Sequence, residues 1–243
     1  MGAVGAARAG GTTRTESAEE RKSKFQKFRG DPRKSDGWSF TGNEWTEKWF
    51  EKNSSTSTQI EQMTEDERFA FRSWSHGMFM SGQQYKAFSD MSRQEQDYTR
   101  IFDKYLDNSE LKEGIITYRR AGYELINNGS RRAISIDKLK GMVGDIVTSK
   151  GSMSTAAASS GLWGMGGSAK PVEYVFRIPA GKGAGMWIGD KRINSWGSEQ
   201  REYMTNRDAS FRIVSVKENS GSTTRGSVQV VLEYIGHSKH DYS

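Results

Sequence analysis

The order of local signals along the chain constrains its fold most strongly, because helix signals come first and β-like runs follow. The change falls at Glu113, and the runs after it are separated by Gly, Ser and Asn. They are Ile115 to Arg119, Asp145 to Thr148, Glu173 to Ile178, Gly185 to Ile188, Glu202 to Met204, Ser210 to Lys217 and Ser227 to Ile235. The last two predict a long hairpin. Helices followed by mostly antiparallel strands predict an α+β domain rather than a doubly wound parallel sheet.

Capping boxes mark the helix starts before this change. In a sequence Ser/Thr-x-x-Glu, the first side chain and the glutamate each accept a hydrogen bond from the other residue's backbone N–H. The boxes pair Thr41 with Glu44, Thr64 with Glu67 and Ser92 with Glu95. After the third box, five apolar residues repeat at helical spacing and predict one buried helix face. They are Tyr98, Ile101, Phe102, Tyr105 and Leu106.

The first 38 residues differ in composition from the rest. Residues 1 to 35 hold nine Lys or Arg against four acids, a net +5 that leaves +1 for the remainder of the +6 total. With almost no large apolar residue, this stretch cannot bury enough surface to offset chain entropy. We interpret residues 1 to 38 as a disordered basic tail or linker and residues 39 to 243 as one folded domain. An electrostatic tether and a plain linker both remain open for the tail.

Several classes of site and targeting segment are excluded by composition. The chain has no cysteine, which excludes disulfides, thiolate metal sites and cysteine nucleophiles. The histidines His76, His237 and His240 lack the i, i+4 helical pairing typical of zinc sites, so we predict no metal. No apolar run approaches about 18 residues and the N-terminus has no apolar core segment. We therefore predict no membrane span and no standard secretory signal, and we expect a monomer.

A glycine-rich segment, Gly-Lys-Gly-Ala-Gly at 181 to 185, is only a weak dinucleotide-binding signal. A loop of that kind opens a helix. Here strand-like Met186, Trp187 and Ile188 follow instead. The segment therefore does not predict a Rossmann site.

Three separated pieces of sequence carry a signature in a fixed order. The first is Ile-Thr-Tyr-Arg-Arg-Ala-Gly at 116 to 122, the second is 145 to 156 with Ser-Thr-Ala at its end, and the third is 196 to 207. Together they resemble the Arg, Ser-Thr and Glu signature of mono-ADP-ribosyltransferases of the bacterial toxin type. The enzymatic components of clostridial binary toxins and the Rho-modifying exoenzymes are the most similar members. The match departs at Ala156, where the family has a third hydroxyl.

The resemblance implies a fold and an activity. The expected fold has N-terminal helices followed by two packed, mainly antiparallel β-sheets that form an NAD cleft. Residues 39 to 243 would then be the catalytic domain. The expected reaction cleaves the nicotinamide–ribose bond of NAD, which is the co-substrate, and transfers ADP-ribose, with no metal and with NAD hydrolysis as a side reaction.

The chemistry of this bond cleavage explains the signature residues. It produces an oxocarbenium-like ribosyl cation beside a charged pyrophosphate. Arg119 is the candidate for the pyrophosphate, because a guanidinium donates to phosphate oxygens in pairs. Glu202 is the candidate carboxylate that accepts from the ribose 2′-hydroxyl and opposes the developing charge. The resemblance places Ser154 beside it as the orienting hydroxyl, and Thr155 in the same NAD site as a support.

The resemblance also assigns further NAD contacts. The main-chain groups of Arg120 would pair with the nicotinamide amide, and Gly122 would lie in the same site. The segment from Gly161 to Lys170 takes the place of the loop that covers phosphate and nicotinamide. In that loop Trp163 would stack on nicotinamide and Lys170 would meet phosphate. A flexible loop whose tryptophan packs on the core is the alternative.

The acceptor is indicated by the residue two before the predicted catalytic glutamate. Arginine-modifying relatives have a glutamate there, whereas this chain has Gln200, and a neutral amide cannot act as a general base. We therefore expect an acceptor of the Asn, Gln or Thr type on a GTPase or actin-like protein, with Trp196 docking the protein surface. A one-residue change of register would instead bring Glu199 near the acceptor.

Two other functions stay open from the sequence. One is a guanine-modifying enzyme of the same fold that acts on nucleic acid, although the near-neutral folded part offers no basic field. The other is a catalytically idle module that binds a partner. For the main reading, we expect a protein that is secreted or translocated into a target cell without a standard signal peptide and acts in its cytosol.

Overall fold

The computed structural model describes residues 43–75, 86–157, 170–194, 201–219 and 227–242. The predicted tail and the first capping box at Thr41 lie outside these residues. The helices are α1 (Asn43–Asn53), α2 (Thr56–Gln62), α3 (Glu65–Ser75), α4 (Arg93–Asn108) and α5 (Ile136–Gly141), with a 3-10 turn at Phe88–Asp90. The strands are β1 (Glu110–Leu111), β2 (Ile115–Ala121), β3 (Ile146–Thr148), β4 (Met153–Ala156), β5 (Val172–Ile178), β6 (Gly181–Lys182), β7 (Gly185–Trp187), β8 (Glu202–Thr205), β9 (Ala209–Asn219) and β10 (Ser227–His237). No helix in these parts is long and apolar enough to cross a membrane.

Capping boxes start α3 and α4 as predicted. The Thr64 N–H donates to Glu67 and the Glu67 N–H donates back to the threonine hydroxyl, and Ser92 and Glu95 do the same. The predicted apolar face of α4 packs on the core, with three residues buried and two half-buried. The buried residues are Phe102, Tyr105 and Leu106, and the half-buried ones are Tyr98 and Ile101.

Eight strands form one continuous ladder in the order β3-β9-β10-β5-β2-β4-β8-β7, while β1 and β6 pair separately. All neighbours are antiparallel except β5 and β10, which run parallel. A single residue pair, Tyr118 with Ala156, joins β2 to β4. The ladder can therefore be described as two sheets that meet at this one residue pair. The first has five strands, from β3 to β2 in the order above, and the second has three strands, β4, β8 and β7. The α+β prediction and the closing hairpin of β9 and β10 are confirmed.

Two apolar clusters hold these layers together. The larger cluster combines side chains of both sheets and includes Phe176 and Phe211 of the five-stranded sheet and Tyr203 of the three-stranded sheet. The smaller cluster combines the apolar faces of α3 and α4 with Met186 and Met204 of β7 and β8. Each fully buried side chain of this kind contributes about 1.5–3 kcal/mol by leaving water. Because successive residues of a strand face opposite sides, β8 faces both clusters, and both of its faces are buried.

Candidate active site

Glu202, the first residue of β8, is a buried carboxylate held by several donors. Its side chain is only 2% exposed. The indole Nε1 of Trp74 donates to Oε1 at 3.1 Å, and Nδ2 of Asn194 donates to Oε2 at 3.3 Å. The Ser154 hydroxyl hydrogen-bonds the same carboxylate. The carboxylate is therefore fixed in one orientation before any substrate arrives.

Burial sets the protonation behaviour of this carboxylate. Removal from water disfavours the charged form and raises the pKa of Glu202 above its ordinary value. Hydrogen bonds from Ser154 and Trp74 and the positive charge of Arg119 act in the opposite direction and offset part of this rise. The site therefore combines a desolvated acid with donors that favour its ionised form.

Strand β4 brings Ser154 to this carboxylate. In the antiparallel pairing of β4 with β8, Ala156 lies directly opposite Glu202, and Ser154 lies opposite Met204. Cross-strand partners share a face, so the serine and the glutamate lie on the same side of the sheet. Ala156, the position that departs from the family pattern, faces the same side.

Thr155 lies on the opposite face of β4 from Ser154. The residue is fully buried, and its hydroxyl donates to the backbone carbonyl of Tyr203 at 2.8 Å. This hydrogen bond braces the pairing of β4 with β8, the strand that carries Glu202. The predicted contact of Thr155 with NAD stays a prediction.

Arg119 crosses the junction between the two sheets. It lies on β2 of the five-stranded sheet, and its Nη1 donates to the Ser154 carbonyl of β4 at 2.6 Å. The side chain is half-buried. The structure therefore brings Arg119, Ser154 and Glu202 together, although 83 residues of sequence separate the first from the last.

Beyond Tyr118, Arg120 and Gly122 make separate contacts with β5. Beyond Tyr118, no strand of the described chain pairs with the β4-facing edge of β2. The Arg120 side chain extends towards β5, where its Nη2 lies 3.4 Å from Glu173. The Gly122 carbonyl accepts from the Tyr174 hydroxyl at 2.7 Å. The predicted contact of the Arg120 main chain with nicotinamide stays a prediction.

The remaining predicted residues fall at or beyond the limits of the described chain. Lys170 is exposed and lies two residues before Val172, which pairs with Ala121 at the end of β2. Trp163, Trp196 and Gln200 lie outside the described residues. Their predicted roles stay predictions.

Two residues of the site had no role in the sequence signature. Trp74 belongs to the buried stripe of α3, which looks like ordinary core, and Asn194 follows the turn after β7. Arg201, just before the glutamate, adopts a left-handed backbone with φ of 47°. That conformation is uncommon for a residue with a Cβ and clusters at functional sites. No short motif marks the tryptophan or the asparagine, because their contact depends on how helices and sheet pack.

An arginine on one sheet faces a serine and a buried glutamate on a second, which is the arrangement that the resemblance to ADP-ribosyltransferases predicts. Solved structures agree with this fold. Plx2a, an ADP-ribosyltransferase toxin from Paenibacillus larvae, is 17% identical with a TM-score of 0.65, over 80% of this chain and 96% of that one. An ADP-ribosyltransferase from Clostridium botulinum is 15% identical with a TM-score of 0.61, over 81% and 97%. A protein from S. aureus, solved with NAD, is 16% identical with a TM-score of 0.56, over 79% and 94%.

A family model places the chain more narrowly. The model described as ADP-ribosyltransferase exoenzyme matches residues 80–236, and the chain belongs to that family. It is a toxin-type mono-ADP-ribosyltransferase that uses NAD as co-substrate. No curated protein matches the chain.

Proposed function

We propose that this enzyme transfers ADP-ribose from NAD to a neutral side chain of a protein, with Arg119, Ser154 and Glu202 as its working residues. The single observation that carries the proposal is the buried Glu202 carboxylate with its donors, beside the guanidinium of Arg119. An isolated buried carboxylate is costly to ionise, so this arrangement suits a site where positive charge develops.

The residues act at two ends of the bond that breaks. The bond between ribose C1′ and the nicotinamide nitrogen breaks, and its electron pair leaves with nicotinamide. Glu202 accepts a hydrogen bond from the ribose 2′-hydroxyl and opposes the positive charge on the sugar. Arg119 donates to the pyrophosphate and fixes the other half of NAD. The acceptor atom then bonds to C1′ and releases a proton.

The acceptor proposal rests on sequence. Gln200 stands two positions before Glu202, where a second carboxylate would be needed to activate a guanidinium. An amide instead can donate to and accept from a neutral amide or hydroxyl. Trp196 and Gln200 would then recognise the protein surface and the acceptor side chain. With water as the acceptor, the same step is NAD hydrolysis. We place the action in the cytosol of a target cell, as the toxin-type relatives suggest.

Nicotinamide release from NAD tests the catalytic assignment. We expect Glu202→Ala to lower the rate by at least about a thousandfold, because electrostatic stabilisation of the developing charge is lost. Glu218→Ala is the matched control, since Glu218 is an exposed glutamate on strand β9. Equal rates in wild type and Glu202→Ala would overturn the role of the glutamate.

Labelled NAD separates the acceptor classes. We expect wild type to label a protein band in a cell lysate and to leave the arginine analogue agmatine unlabelled. Agmatine labelling would overturn the neutral acceptor. Labelled DNA with a steep loss of turnover at higher salt would favour the nucleic-acid alternative. Neither nicotinamide release nor any label from wild type would leave a binding module.

A further inference from the structure

A second group of polar residues lies away from the catalytic cleft, where α4, β10 and the segment after β8 meet. Its centre, the His-Asp cluster, consists of Asp107 on α4, His237 at the end of β10 and His240. The segment after β8 reaches it through Asn206, which lies four residues beyond Glu202, or about 13 Å along an extended strand. No step of the transfer reaction uses these residues.

Both imidazoles of the His-Asp cluster converge on the same carboxylate. The Nε2 atoms of His237 and His240 lie 3.4 Å and 2.9 Å from Oδ1 of Asp107. One ligand atom from each of the three residues lies within 4.8 Å of the others. Around a tetrahedral zinc ion with bonds of about 2.0 Å, neighbouring ligand atoms are about 3.3 Å apart. The two distances to Asp107, 3.4 Å and 2.9 Å, are close to this spacing, so a small adjustment of the side chains would accommodate one ion.

The outward-facing ring nitrogens are also engaged. Nδ1 of His237 lies 2.8 Å from the Tyr234 hydroxyl, and Nδ1 of His240 lies 3.3 Å from Oδ2 of Asp208. Metal-binding histidines characteristically hydrogen-bond through the other nitrogen, which fixes the tautomer and the ring orientation. Here both rings are held so that Nε2 points to the common centre.

The local charge matches a divalent cation. Two further carboxylates, Asp103 and Asp208, lie beside Asp107 and the histidines, and Arg207 pairs with both of them. The Arg207 Nε bonds both oxygens of Asp103, at 2.9 Å and 2.8 Å, and both side chains are buried. With the imidazoles neutral, Asp107 and Asp208 remain as two negative charges. A dication would neutralise them.

The glycine-rich segment at 181 to 185 serves this region. Gly183 has φ of +80°, and a Cβ there would lie 2.7 Å from Cε1 of His237. Its carbonyl accepts from Nδ2 of Asn206 at 3.0 Å and from the Tyr234 hydroxyl at 3.2 Å. Glycine is required because any side chain would displace the histidine ring. The segment therefore packs closely against the His-Asp cluster and does not form a phosphate-binding loop.

We propose that Asp107, His237 and His240 bind one divalent transition-metal ion, with zinc preferred and water as a fourth ligand. Two nitrogens and one carboxylate oxygen favour zinc-like ions over Mg²⁺ or Ca²⁺, which take oxygen ligands. The ion would join α4 to the end of β10. Its role is structural, and it is separate from the NAD chemistry, for which the family resemblance implies no metal.

Metal binding by the full chain tests the proposal. After chelator treatment and desalting, we expect one equivalent of Zn²⁺ to bind with a Kd of about 1 µM or lower. The Tm should rise with Zn²⁺ concentration, because the ion binds the folded state. Co²⁺ should give the visible absorption of a tetrahedral site. His237→Gln and Asp107→Asn should each weaken binding at least about tenfold, and Tyr234→Phe should weaken it to a similar extent through the second nitrogen.

The controls keep the outcome interpretable. His76→Gln removes the third histidine of the sequence and should leave Zn²⁺ binding unchanged. Each variant is compared with its own metal-free Tm, and His237→Gln decides if Asp107→Asn fails to fold, since the His237 side chain is 24% exposed. Absence of stoichiometric Zn²⁺ binding by folded wild type, or equal affinity in His237→Gln, would overturn the site and leave a hydrogen-bonded contact.

Discussion

The indole nitrogen of Trp74 lies 3.1 Å from Oε1 of Glu202, so the last turn of α3 holds the carboxylate that we propose to be catalytic. The two residues are 128 positions apart in sequence. Helix α3 therefore contributes a side chain to the site as well as packing against the smaller apolar cluster.

Replacing Trp74 by Phe tests this contact. Loss of one hydrogen bond to a charged group, worth about 1.5–3 kcal/mol, should lower kcat for nicotinamide release by at least about tenfold. Because this donor lowers the pKa of Glu202, the acid limb of the pH–rate profile should move to higher pH. Met63→Leu, in the same apolar cluster, is the control and should leave the profile in place. An unmoved acid limb in Trp74→Phe would contradict the positioning role.

Glu202→Gln should change the pH dependence of stability. Burial raises the pKa of Glu202, so the folded protein holds this proton more tightly than the unfolded chain. The contribution of Glu202 to stability therefore falls as pH rises from the unfolded value towards the folded one, and stays constant above it. Glutamine removes this loss. The Tm of the variant relative to wild type should rise by about 2 °C or more between about pH 4 and about pH 7.5. Calorimetry across that range checks this, and a constant difference would rule it out.

Neighbouring arginines on β2 should differ in their importance. Arg119→Lys should lower kcat/KM for NAD at least about a hundredfold, because an ammonium cannot bond the Ser154 carbonyl and the pyrophosphate through a planar fork. Arg120→Lys is the matched control and should stay within about threefold, since Arg120 is predicted to contact NAD through its main chain. Steady-state kinetics of nicotinamide release measure both. Equal losses would mean that the two side chains share the NAD contact.

Thr155→Val should destabilise the fold with little effect on chemistry. The variant removes the buried hydrogen bond from the Thr155 hydroxyl to the Tyr203 carbonyl, at a cost of about 1 kcal/mol in the free energy of unfolding. Thr117→Val is the isosteric control, since the fully buried Thr117 hydroxyl has no hydrogen-bond partner among the described residues. That control should be neutral or stabilising. Urea unfolding distinguishes the two, and a stable Thr155→Val enzyme with lost activity would return Thr155 to the NAD site.

Local signals predicted most of the fold. Capping boxes and alternating runs act over a few residues, so the starts of α3 and α4 and the seven predicted strands were readable in advance. The parallel pairing of β5 with β10 could not be predicted, because the relative direction of two strands depends on the chain that connects them and not on the local sequence pattern. Strand β4, which places Ser154 and Thr155 on opposite faces, was not among the predicted strands.

The sequence predicted the residues of the site that belong to its three motifs, and no others. Arg119, Ser154 and Glu202 come together as the signature indicates. Trp74 and Asn194 were missed because each contacts the carboxylate through tertiary packing, and a tryptophan in an apolar helix stripe is indistinguishable from core in the sequence.

The single Tyr118–Ala156 pair that joins the two sheets has a consequence for how the molecule opens. Backbone amides in β4, β7 and β8 should exchange with solvent as one cooperative unit, and those in β2, β5, β9 and β10 as another, since little ladder couples them. A dinucleotide held by Arg119 on one side and Glu202 on the other would bridge both units. Amide protection on adding NAD should then spread far beyond the residues that touch it, and the two exchange rates should merge into one.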